Sequence, residues 1–98
     1  MSREESCAAF LELLGGSSTP SAHAVQHEAG RLIEAGLNQL PRDYRTVIEL
    51  VDLKGEPVAE AAAQMGRSTG AVHMLRSRAH ERLRQVLGAP AQFFSDVE

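Results

Sequence analysis

Ninety-eight residues, 43 % hydrophobic and 23 % charged, suit one small domain, too apolar for a disordered chain and too short for a cleft between two lobes. The single cysteine, Cys7, excludes an internal disulfide and a cysteine-based zinc finger, and no apolar run approaches the roughly 18 residues that span a bilayer. The opening Met1-Ser2-Arg3-Glu4-Glu5 lacks the basic and apolar stretches of a secretory signal, so the reducing cytoplasm is the expected location, with no membrane association.

In chain order, the first expected helix runs about Arg3 to Leu14. Ser2 and Glu5 have capping-box spacing, Cys7, Phe10, Leu11 and Leu14 share one face, and Gly15-Gly16 ends it. Gly15 to Ser21 (GGSSTPS) reads as a linker. A second helix starts near Pro20 or Ser21 and carries Val25, Ala29, Leu32, Ile33, Gly36, Leu37 and Leu40 at spacings of three and four; Pro41 closes it. A third, about Arg42 to Leu53, should bury Tyr44, Val47, Ile48 and Val51 before Gly55 stops it. A fourth, about Pro57 to Met65, turns Val58, Ala61, Ala62 and Met65 inward and ends at Gly66. Ser68 then caps a longer helix, about Thr69 to Leu87, striped by Val72, Leu75, Ala79, Leu83 and Val86. With no strand pattern, the expected fold is all-α: a small bundle of four to five helices. An amphipathic N-terminal helix (1–14) and a linker (15–21) precede a helical domain (22–88), and a tail (89–98) follows it.

The net charge of −3 hides a local inversion. Residues 1–65 hold five basic against ten acidic groups, whereas 66–88 hold five arginines (Arg67, Arg76, Arg78, Arg82, Arg84) against Glu81 alone. The same stretch has the spacing of a helix-turn-helix. Ala62, four residues before Gly66, is small enough for a tight crossing; Gly66 takes a left-handed turn without steric cost; Val72, six residues after it, returns an apolar knob. With Val72, Leu75, Ala79 and Leu83 inward at roughly 100° per residue, the outer face holds Gly70, His73, Met74, Ser77 and Arg78. The leading end of such a helix reaches base edges, so Thr69, Gly70, His73 and Met74 are candidate readers. Arg67 and Arg78 are candidate phosphate holders, with Arg76 and Arg82 on the flanks and the free N–H groups near Ser68 and Thr69 adding to the attraction.

These residues resemble region 4 of RNA polymerase sigma factors of the extracytoplasmic-function group. The matching pieces are LPRDYRTVIEL (40–50), GEPVAEAAAQMGRSTGAV (55–72) and RSRAHERLRQVLG (76–88); upstream, SSTPSAHAVQHEAGRL (17–32) is similar to the linker and first helix of such regions. The resemblance implies binding of duplex promoter DNA at the −35 element and docking on the flap of RNA polymerase, with an anti-sigma factor as a further partner. Three features depart from the family pattern: His73 stands where a basic residue is usual, Met74 where a polar one is common, and Leu75-Arg76 inverts a common order. Region 2, which melts the −10 element, does not fit in 98 residues, so this chain alone is not expected to act as a complete sigma factor.

Plainer readings compete. His23 and His27, four apart on a helix, read as exposed histidines rather than metal ligands, so no metal or other cofactor is expected. His73 divides evenly between DNA contact and a solvated face; His80 favours the solvated face, and Cys7 favours packing. Phe93-Phe94 either packs back or covers a patch. The lack of a nucleophile elbow, phosphate loop or metal signature argues against an enzyme. Two other binding classes remain open. One is a protein-interaction module that grips polymerase or an anti-sigma protein through residues 22–53, and the other is a LuxR-type output domain. The N-terminal helix could also pair two copies into a homodimer.

Overall fold

The computed structural model describes residues 2–14 and 22–87, without the side chains of 22–27. The linker 15–21, the side chains of His23, Val25 and His27, and the tail with Phe93 and Phe94 lie outside that description. The described elements are α1 (Arg3–Leu13), α2 (Ala22–Leu37), α3 (Arg42–Val47), a π-helical segment (Ile48–Leu53), α4 (Val58–Met65) and α5 (Thr69–Val86). Among the described residues there is no strand. The all-α expectation holds.

Helix ends follow the local chemistry. Ser2 Oγ accepts from the Glu5 N–H at 3.1 Å and Glu5 Oε1 from the Ser2 N–H at 2.8 Å, a complete capping box. At the end of α4, Gly66 stands at φ 67°, ψ 36°. The Arg67 N–H reaches the Ala62 carbonyl at 3.0 Å and the Gly66 N–H the Ala63 carbonyl at 3.4 Å, the paired bonds of a Schellman stop. Two residues later Ser68 Oγ accepts from the Ala71 N–H at 3.1 Å and starts α5. The reversal that defines the helix-turn-helix is therefore encoded by Gly66 and Ser68.

One core runs through the molecule. α1 contributes Cys7, Phe10 and Leu11, followed by Leu14; α2 contributes Ala29, Ile33 and Leu37; α5 contributes Val72, Ala79 and Leu83. α1 packs on α2 and on the π segment, α3 and α4 pack on α5. The apolar face of α1 is thus occupied by its own chain. Arg3 ties α1 down further, its guanidinium bonding Glu49 at 2.9 Å through two nitrogens and also contacting Glu34.

The expected third helix needs correction. It does not continue as α-helix to Leu53: after Val47 it widens, with the Lys54 N–H bonding the Glu49 carbonyl five residues back at 2.9 Å. In an α-helix, residues five apart stand about 140° apart; the wider π turn brings them closer to one face. Leu53 joins Ile48 in the core, and the Asp52 side chain turns inward to meet Arg76 and His80. Tyr44 lies half-buried at the core edge; Val51, expected inside, is also only half-buried, while Leu50 and Leu53 are buried.

Candidate nucleic-acid interface

α4, the Gly66–Ser68 turn and α5 present one continuous outer surface. Arg67, Ser68, Thr69, Gly70, His73, Met74, Ser77, Arg78 and Arg82 are all exposed on it. Met74, 57 % exposed, is one of only two large hydrophobic side chains left open among the described residues. No neighbouring atom lies within 4 Å of where a Cβ on Gly70 would stand, so the backbone there is open to a close approach. Ser68 Oγ is engaged in capping, which leaves the first N–H groups of α5 as the polar offering at that end.

The arginines divide sharply. Arg76, expected on a phosphate-binding flank, turns inward instead: its Nη2 donates to Asp52 Oδ1 at 2.6 Å and its Nε to both carboxylate oxygens at 3.2 Å. His80, expected in solvent, is buried, with Nε2 2.8 Å from Asp52 Oδ2 and its ring centroid 5.1 Å from that of Phe10. The signal for this was present in the spacing: positions 76 and 80 lie four and eight residues after Val72, on the buried face. Its partner was not legible, because Asp52 lies 24 and 28 residues away in the sequence. Arg67 remains on the surface but pairs with Asp43 of α3. Arg84 is half-buried and its Nε donates to the Leu14 carbonyl at the end of α1 at 3.2 Å. Arg78 and Arg82 are exposed and make no ion pair among the described residues. With Pro41, Tyr44 and Gln85 they border a shallow depression of about 320 Å³ beside α3.

The Asp52 carboxylate is 3 % exposed. Burial alone pushes its pKa up, but the hydrogen bonds from His80 and Arg76 outweigh burial, and it lies below the ordinary carboxylate value. Cys7 is fully buried, and burial pushes its thiol pKa up. A larger depression of about 540 Å³ lies between α1 and α2, bordered by Arg3, Cys7, Gly30 and Glu34, and shares no residue with the helix-turn-helix. No group of three or more metal-binding side chains occurs among the described residues, and no described helix is long and apolar enough to cross a membrane.

Residues 30–83 match the family model for sigma-70, region 4. The match spans the second half of α2 through most of α5 and leaves α1 outside it. No curated protein and no solved structure matches the chain.

Proposed function

The chain belongs to the sigma-70 region 4 family, and from that premise we propose that it reads a promoter −35 element as the module of an extracytoplasmic-function sigma factor. Region 4 is a DNA-binding helix-turn-helix domain that recognises the −35 element and binds RNA polymerase; it is a regulatory domain rather than an enzyme family. In this reading α5 enters the major groove, Thr69, Gly70, His73 and Met74 meet base edges, and Arg78 and Arg82 hold phosphates. Ser77 contributes a hydroxyl alongside, and Arg67 reaches a phosphate once it leaves Asp43. The partners are double-stranded promoter DNA, the polymerase flap and an anti-sigma factor, met in the cytoplasm where the chromosome is transcribed.

The observation that carries this reading is the open outer side of α5. None of the residues named for base contact is covered, while the opposite side is sealed by Val72, Ala79 and Leu83. Each phosphate contact adds about 0.9 to the salt slope, a factor of roughly 3.5 in affinity between 50 and 200 mM salt. Contacts from Arg67, Arg78 and Arg82 together correspond to about 40-fold over that range. Fluorescence anisotropy on duplexes selected from a randomised pool tests this. Arg78→Ala is expected to weaken all sequences about equally and lower the slope by about 0.9, and His73→Ala to change the preferred sequence. A wild-type chain that binds no duplex at 50 mM salt ends the proposal.

One observation favours a second reading, a domain that grips polymerase or an anti-sigma protein with little DNA affinity of its own. Three of the five arginines in this stretch are already engaged within the chain. Capture of core polymerase that survives Arg67→Ala and Arg78→Ala together, without DNA, would support it.

A further inference from the structure

Beside the outer surface of α5 lies a partly buried charge cluster that joins three elements. The π segment supplies Asp52, α5 supplies Arg76 and His80, and α1 supplies Phe10, whose ring rests against that of His80 at an angle of 57°. One turn further along α5, Arg84 holds the end of α1 through the Leu14 carbonyl. The cluster is complete: no buried side-chain nitrogen or oxygen among the described residues lacks a partner.

We propose that Asp52 is a positioning residue for DNA reading: its carboxylate, gripping Arg76 and His80 together, sets the rotation of α5 about its own axis and withholds Arg76 from phosphate. The inference rests on the region 4 reading above. Arg76 and His80 are four residues apart and lie one above the other on the helix surface, so one carboxylate bonded to both fixes the direction in which that face points. Side-chain tips lie about 5–6 Å from a helix axis. A rotation of about 20° therefore moves the exposed tips of His73, Met74 and Ser77 by about 2 Å, several times the roughly 0.5 Å that a specific contact tolerates. α1 backs the arrangement from outside the residues that match the family: the ring of Phe10 packs against that of His80, and the carbonyl of Leu14 accepts from Arg84. Asp52 thus acts on DNA through Arg76 and His80 without touching it.

The test is Asp52→Asn in the full chain, a substitution that keeps shape and removes the charge. The probes are the duplex most enriched by the wild type from a randomised 20-base-pair pool and a scrambled duplex of equal composition. Affinities are measured by anisotropy from 50 to 200 mM salt, at a temperature where circular dichroism shows the variant folded. The expected result is a loss of tenfold or more on the selected duplex, little or no loss on the scrambled one, and a salt slope raised by about 0.9 as Arg76 reaches a phosphate. A parallel loss on both duplexes with an unchanged slope is the signature of a purely structural role and overturns the proposal, as does wild-type behaviour. If Asp52→Asn does not fold, Arg76→Gln takes its place. That variant is expected to lower the ratio of selected to scrambled affinity with no change in slope, and an unaltered ratio overturns the proposal. A wild type that enriches no duplex refutes the region 4 reading itself, and this inference with it.

Discussion

Two glycines, given the same substitution, should respond with opposite signs. Gly36, near the end of α2, faces α5: a Cβ built there would stand 2.6 Å from Leu83 Cδ1 and 3.1 Å from Leu87 Cδ2. Carbon atoms prefer about 3.5–4.0 Å, so the Leu83 methyl must move by about 1 Å. Leu83 is fully buried and Leu87 nearly so, which leaves neither a free direction. Overpacking of this kind costs about 1–3 kcal/mol, against a helix-propensity gain of at most about 1 kcal/mol for Ala over Gly. Gly36→Ala is therefore expected to destabilise the domain by about 1–2 kcal/mol, a drop in Tm of about 5–15 °C for a chain this small. Gly70 sits in the first turn of α5 with nothing within 4 Å of where the added methyl would stand, so Gly70→Ala keeps the propensity gain and should raise Tm by a few degrees. The same methyl would stand on the DNA side, so that variant should melt higher and bind DNA less well. Thermal denaturation by circular dichroism decides the first pair of outcomes, and anisotropy the second. If Gly36→Ala is as stable as the wild type, α2 and α5 do not approach as described and the reasoning fails.

Three further outcomes follow from the charges and the thiol. Asp43→Asn frees Arg67 from an exposed pair, which is worth no more than about 1 kcal/mol to stability; Tm should barely change while affinity for duplex DNA rises a few-fold at 50 mM salt, and a fall in affinity would contradict the assignment of Arg67. Asp52 has its pKa lowered in the folded state, so its stabilising contribution is complete above its unfolded value of about 3.9 and is lost as pH falls through the still lower folded value. Melting curves from pH 5 to 2 should show that loss, and Asp52→Asn should flatten it. Cys7, with its thiol buried and its pKa raised, should react with an aromatic disulfide reagent only as fast as the chain opens, and rapid reaction of the native protein would disprove its burial.

The elements and their ends were legible in the residues because the chemistry that sets them is local. The caps at Ser2, Gly66 and Ser68 bond backbone groups only three to five positions away, which is why the α1 box, the Gly66 stop and the Ser68 start fall where the pattern puts them. The exposed outer face of α5 followed from helical periodicity alone: Gly70, His73, Met74, Ser77 and Arg78 are exposed while Val72, Ala79 and Leu83 are buried. Counting arginines in the same stretch missed which of them are paired within the chain, since a sequence lists charges without their partners. Asp43 is 24 residues from Arg67, and Asp52 is 24 from Arg76 and 28 from His80. Only packing of α3 and the π segment against α5 brings those groups together. Sequence alone determined that a basic helix follows a glycine turn and which of its faces points outward; tertiary structure decided which arginines remain free on it. The reason is range: caps and periodicity act over one helical turn, whereas an ion pair depends on where two distant segments come to rest.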